Sequence, residues 1–134
     1  MTDVELIKIS VKAREMSYSP YSNFKVGAAL LSKNGKIFTG CNVENAGYTP
    51  TNCAERTAIF KAISEGEREF SAIAIVGGKG DKLNDLCAPC GVCRQVISEF
   101  CGGDFKIILG TPDNIKVVTL SEILPYSFGK NDLI

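Results

Sequence analysis

Lys25-Val26-Gly27-Ala28-Ala29-Leu30-Leu31-Ser32-Lys33-Asn34-Gly35-Lys36-Ile37-Phe38-Thr39-Gly40-Cys41-Asn42-Val43 is a pair of strand-length runs around an Asn-Gly step. Asn-Gly is the strongest short hairpin signal, because both residues accept the positive φ of a tight reverse turn. The stretch therefore reads as Lys25 to Ser32 returning antiparallel as Lys36 to Val43. Upstream, Thr2 with Glu5 has the form of a capping box, and Val4, Ile7 and Val11, with Arg14 or Glu15 beyond them, fit one face of a helix running to about Met16. Pro20 stops that helix, since the residue before a proline is pushed out of helical geometry. Downstream, Asn45 to Asn52 reads as a loop and Cys53 to Ile63 as a helix stopping near Gly66. Phe70 to Val76 follows as a strand apolar on both faces, and Gly77-Gly78-Lys79-Gly80 as a turn without Walker spacing. A helix from Cys90 to Phe100, a strand from Asp104 to Leu109, a short strand around Val117 and a helical turn after Thr119 complete the order. It predicts an α/β fold in which a mixed sheet lies between helices, with both middle helices on one face by the right-handed crossover rule.

Bulk properties narrow the function. A length of 134 residues suits one domain with a real core. The 15 basic and 15 acidic side chains balance, with no basic run interleaved with aromatics, so a polynucleotide partner is not expected. The N-terminus has no signal-peptide pattern and no apolar run approaches membrane-spanning length, which predicts a cytoplasmic protein with no membrane contact. In that reducing compartment the six cysteines read as metal ligands, catalytic thiols or core residues rather than a disulfide framework. Histidine is absent altogether, which removes Ser-His-Asp and Cys-His machinery and the commonest general base.

Cysteine spacing then carries the chemistry. Pro89-Cys90-Gly91-Val92-Cys93 opens a helix, so its two thiols lie one turn apart, and Cys53 opens another helix. Helix N-termini favour thiolate through free amide groups and the positive end of the backbone dipole. Three thiolates fit one Zn²⁺ per chain in a tetrahedral shell whose fourth position stays open for water. Such a cluster carries a net negative charge. Arg56 and Arg94 are the candidate counter-charges, either able to donate to ligand sulfur, the alternative being two solvated arginines. The competing view of the cysteines is three unrelated core thiols; Glu55, two residues after Cys53, favours the metal. Cys87 creates an overlapping Cys-x-x-Cys with Cys90, but Pro89 pre-sets the helix start and leaves Cys87 in the loop, so Cys90 with Cys93 is preferred. Cys41 and Cys101 read as core thiols.

Cys53-Ala54-Glu55-Arg56 followed by Pro89-Cys90-x-x-Cys93 resembles the signature of zinc-dependent nucleobase deaminases, with cysteine in first position and a non-ligand glutamate. Ser19-Pro20-Tyr21-Ser22-Asn23-Phe24-Lys25-Val26-Gly27-Ala28-Ala29, Gly40-Cys41-Asn42-Val43-Glu44-Asn45-Ala46 and Cys90-Gly91-Val92-Cys93-Arg94-Gln95 extend the likeness to the small homotetrameric cytidine deaminases, from the first helix to Phe128. The resemblance implies a three-layer fold with a five-stranded sheet, and cytidine or deoxycytidine as substrate. It also implies ribose contacts from Asn42 and Glu44, nucleoside packing from Phe24, base-edge contacts from the backbone around Ala54 and Ala88, and pockets completed by Tyr48 and Phe128 of neighbouring subunits. An amide and a carboxylate two residues apart on a strand end do point to one face, where a polar sugar can be shared.

The expected reaction is hydrolytic deamination in pyrimidine salvage, with Glu55 carrying protons between water, the ring and the departing ammonia. Two alternatives stay open: a deaminase of a nucleoside-like antibiotic on the same fold, and a non-catalytic zinc-stabilised binding module with a fourth ligand from Cys87 or Cys41.

Overall fold

The capping box forms as written: Glu5 N–H donates to Thr2 Oγ1 at 3.1 Å, and Thr2 N–H donates to Glu5 Oε2 at 2.8 Å. It starts helix α1 (Asp3–Arg14), which carries Asp3 and Glu5 in its first turn and Lys12 and Arg14 in its last, as the helix dipole favours. The structure, a computed structural model, describes residues 1–134. It continues through β1 (Phe24–Ser32), β2 (Ile37–Cys41), α2 (Ala54–Ser64), β3 (Phe70–Lys79), α3 (Gly91–Phe100), β4 (Lys106–Thr111), β5 (Asn114–Thr119) and α4 (Leu120–Ile123).

These strands form one five-stranded mixed sheet in the order β2-β1-β3-β4-β5. All neighbours are antiparallel except β3 and β4, which run parallel. Period-two alternation sorts side chains between the faces. Ala28 and Leu30 of β1, Ile73 and Ile75 of β3, and Ile107 and Leu109 of β4 join Ala58, Ile59 and Ala62 of α2 and Ile97 of α3 in one core. The alternate positions Ala29, Ala72, Ala74, Val76 and Ile108 pack with Leu6 and Ile7 of α1 in a second core. Both middle helices share a face, as the crossover rule predicted, with α1 on the other side.

Three local expectations change. The Asn34-Gly35 hairpin is present, but only Gly35 of the pair takes positive φ, at 90°, and the connection is 33–36 rather than 33–35. It is held by Ser32, whose N–H donates to the Lys36 carbonyl while its Oγ accepts from Lys36 N–H. The buried face of α1 keeps Ile7 and Arg14 but takes Leu6 and Ser10 in place of Val4 and Val11, and Val4 is exposed. Gly77, Gly78 and Lys79 are not a turn. They extend β3 in register with Val26, Lys25 and Phe24. A Cβ on Gly77 would stand 2.6 Å from Cys87 Sγ, and one on Gly78 would stand 2.0 Å from the Lys82 carbonyl oxygen, so these glycines let the chain cross the strand.

Arg14 secures that crossing. Its Nε donates to the Lys25 carbonyl at 2.9 Å, and its Nη2 donates to the carbonyls of Gly78, Gly80 and Lys82 at 2.9, 2.5 and 2.7 Å. The Nε and Nη2 edge of a buried guanidinium thus meets backbone carbonyls alone.

The sheet order also places the site. Since β2 and β3 are each antiparallel to β1, they run the same way and end at the same edge. The helices that follow them, α2 and α3, therefore begin at that edge.

Candidate metal centre and active site

Cys53 and Cys90 are the N-caps of α2 and α3, both in extended conformation, and neither side chain caps its own helix. Their sulfurs are free to turn toward each other, and Cys93, one turn into α3, completes the group. All three Sγ atoms lie within 4.8 Å of one another, with Cys53 and Cys90 Sγ 3.7 Å apart. Two sulfurs each about 2.3 Å from one ion at the tetrahedral angle are about 3.8 Å apart, so this donor set fits zinc. Cys90 is exposed and Cys93 fully buried, so the cluster runs from the surface inward. Cys87 is outside the cluster, its thiol packed on Gly77 and pushed up to about 11 by burial. Cys90 with Cys93 is therefore the pair that converges with Cys53. Cys41 and Cys101 are half-buried, and burial raises both thiols.

Electrostatics set Cys53 apart from Cys93 and from the acid, because the sulfur–sulfur hydrogen bond that lowers Cys53 raises Cys93. The Cys53 thiol is held down to about 5, first by a hydrogen bond with Cys93, against the opposing effect of burial, and further by Arg56 and Cys90. Arg56 Nη2 donates to Cys53 Sγ at 3.3 Å, the counter-charge that a thiolate cluster needs. Its Nε is buried with no partner in the chain. Arg94 does not share this duty. Its Nε donates to the Pro89 carbonyl and its Nη1 to the Ile123 carbonyl, both at 2.7 Å, so it turns from the sulfurs toward backbone. Glu55 is 3% exposed, and burial pushes its carboxyl up to about 7. A carboxyl with that affinity gives and takes protons near neutral pH, as a group shuttling between water and a weak base must.

Around the cluster the expected substrate residues occupy distinct positions. Ala54 is buried in the first turn of α2, while Ala88 is exposed on the loop before α3. Phe24 is half-buried at the start of β1, its ring 3.2 Å from where a Gly77 Cβ would stand, on the same side as Cys87. Asn42 is buried and engaged: Oδ1 accepts from Val26 N–H at 2.9 Å and from Ser17 Oγ, and Nδ2 donates to the Phe24 carbonyl at 2.8 Å. One amide hydrogen is left for a ligand. Glu44 accepts from the Tyr21 and Ser22 amides at 3.0 and 3.2 Å and from the Ser22 hydroxyl, and these bonds, led by the hydroxyl, hold its carboxyl below the usual range. Glu44 borders a cavity of about 460 Å³ with Tyr21, Ser22, Asn45, Tyr48 and Thr51. A larger cavity of about 760 Å³ lies between the end of α3 and the C-terminal segment, but it holds none of the clustered sulfurs or Glu55, so chemistry rather than size locates the site. Tyr48 and Phe128 stand 78% and 61% exposed, and neither belongs to the two hydrophobic cores. Ser17 and Ser22 are site-supporting residues that the sequence did not single out. Ser17 is 25 positions from the Asn42 it orients, and no local pattern marks such a pair.

The comparisons with known proteins agree with this geometry. Residues 1–110 match the family model of the cytidine and deoxycytidylate deaminase zinc-binding region. The chain is 51% identical over 133 residues to a cytidine deaminase of Sporosarcina psychrophila, covering 98% of this chain and 95% of that protein. It is 50% identical over 129 residues to a cytidine deaminase of Halalkalibacterium halodurans, covering 96% and 95%. The crystal structure of cytidine deaminase from Burkholderia pseudomallei superposes with a TM-score of 0.88 at 47% identity, covering 96% of this chain and 100% of that one. A sulfur trio at two helix starts, a buried glutamate between them and the likeness of nearly the whole chain together mean that it belongs to the cytidine and deoxycytidylate deaminase family.

Proposed function

We propose that residues 1–134 form a single catalytic domain that hydrolyses the 4-amino group of cytidine and deoxycytidine, giving uridine or deoxyuridine and ammonia in pyrimidine salvage. The observation that carries this reading is the convergence of Cys53, Cys90 and Cys93 beside the buried Glu55. Cys53, Cys90 and Cys93 would hold zinc, which would supply the Lewis acidity that makes water nucleophilic at neutral pH. Glu55 takes a proton from the attacking water and delivers it to ring N3, which makes C4 electrophilic. Water oxygen bonds to C4; Glu55 then takes the remaining proton from that hydroxyl and passes it to the amino nitrogen, so that C4=O forms as the C4–N bond breaks and ammonia leaves. Arg56 keeps Cys53 in its thiolate form through the sulfur contact. Asn42, with its acceptor oxygen occupied, offers a donor to the sugar, and Glu44 offers an acceptor. Phe24 lies against the nucleoside, and the backbone at Ala54 and Ala88 faces the base edge.

The exposure of Tyr48 and Phe128 supports a homotetramer in which each completes a neighbour's pocket. A cytoplasmic setting fits six free cysteines, and no helix is long and apolar enough to cross a membrane. The test is Glu55→Gln in the zinc-loaded protein. It is expected to keep one zinc per chain by elemental analysis and to lose at least about a thousandfold in cytidine turnover. A Glu55→Gln protein that still deaminates cytidine would remove the glutamate from the reaction.

A further inference from the structure

Arg94 and Gln95 follow Cys93 on α3, and both side chains leave the sulfur cluster for the C-terminal segment. Arg94 bridges the carbonyl of Pro89, the residue before Cys90, to the carbonyl of Ile123, the last residue of α4. Gln95 Nε2 donates to the Phe128 carbonyl at 2.8 Å. From 124 to 134 no residue is buried, and the backbone bonds of these residues reach no farther back than Leu120. Side-chain donors from α3 therefore tie the C-terminal end of the chain to that helix, Gln95 within this segment and Arg94 at the residue just before it.

We propose that Arg94 and Gln95 are positioning residues that hold the C-terminal end of the chain on α3, Arg94 by bridging Pro89, next to a zinc ligand, to Ile123, and Gln95 by fixing Phe128 for the neighbouring subunit's pocket. Charge-assisted bonds from a rigid, forked guanidinium suit two carbonyls in different chain segments, whereas an ammonium offers one point of attachment. The Pro89 carbonyl lies one residue from a zinc ligand, so its orientation bears on the ligand geometry. This rests on the zinc-deaminase reading for the ligand set and for Phe128.

The test compares zinc-loaded wild type, Arg94→Met, Arg94→Lys and Gln95→Ala, measuring zinc release to a chromogenic chelator, and KM and kcat for cytidine. Arg94→Met should release zinc at least about tenfold faster, with a raised KM. Arg94→Lys, able to meet one carbonyl, should fall between and covers the case in which the methionine variant does not fold. Gln95→Ala should release zinc at the wild-type rate and raise KM by about two- to tenfold with kcat kept. Combined with Phe128→Ala, its KM effect should be non-additive, because both changes remove one placement. A merely structural role would lower melting temperature while leaving zinc release and KM alone. Wild-type zinc release from both Arg94 variants, or additive Gln95 and Phe128 effects, overturns the proposal. Wild-type protein that holds zinc but does not deaminate cytidine would instead sink the functional reading, and the zinc-release arm would still decide the role of Arg94.

Discussion

Gly40→Ala would separate the contribution of close helix–sheet approach from that of the site residues themselves. Gly40 lies on β2 beneath the first turns of α2, and an added Cβ would stand 2.4 Å from the Ala54 carbonyl oxygen, 2.6 Å from Ala58 N and 3.0 Å from Thr57 Cβ. The two nearest atoms are backbone, so no rotamer change relieves the clash. Ordinary contact begins at 3.4 Å, and the start of α2 must therefore retreat by about 1 Å. Overpacking of this kind costs about 1–3 kcal/mol, which corresponds to a fall of roughly 3–15 °C in Tm at this chain length. The same displacement moves Cys53 and Glu55 relative to Cys90 and Cys93, and a misplacement of about 1 Å in a reacting geometry costs on the order of a hundredfold in rate. Thermal melts followed by circular dichroism, with cytidine turnover of the zinc-loaded protein, read both effects. Gly91→Ala is the matched control: nothing lies within 4 Å of its added Cβ, and Tm should hold or rise. A Gly40→Ala protein with wild-type Tm and turnover would refute the claim that helix α2 rests directly on this glycine.

Two further outcomes are expected. Arg56→Met, which removes the donor 3.3 Å from Cys53 Sγ, should weaken zinc affinity by about 10- to 100-fold in a chelator competition, and unchanged affinity would dismiss the arginine as the counter-charge. Ser17→Ala, which frees Asn42 Oδ1 from one of its two donors, should raise KM for cytidine by about two- to tenfold with kcat preserved; Ser17→Thr should restore it.

The parts of this molecule governed by local rules were readable in advance. The capping box at Thr2, the helix starts at Cys53 and Cys90, and the thiol spacing all depend on neighbours within one turn. What sequence could not supply was packing at a distance. Gly77-Gly78 looks like a turn because its need for small residues comes from Cys87 and Lys82 crossing above, not from its own backbone. The face of α1 reads at Val4 and Val11 where the structure buries Leu6 and Ser10, and the burial of Arg14 depends on four carbonyl partners on β1, on β3 and in the loop after it that no local pattern marks. Arg94 was credited with a sulfur contact by adjacency alone, whereas the Ile123 carbonyl that captures it is 29 residues away. Asn42 and Glu44 were legible as polar groups at a strand end, but the serines that set their donor and acceptor character come from a different segment.

Because β2 and β3 point the same way, Cys53 and Cys90 meet across a separation of 37 residues. An ion held there does mechanical as well as chemical duty: it ties a knot in the chain that spans α2 and β3. By the loop-entropy rule used for covalent cross-links, closing a circuit of that length restricts the unfolded ensemble by about 4 kcal/mol. A reagent that must be present for turnover is thereby also a fastener, and protein stripped of it should be the softer substrate for a protease.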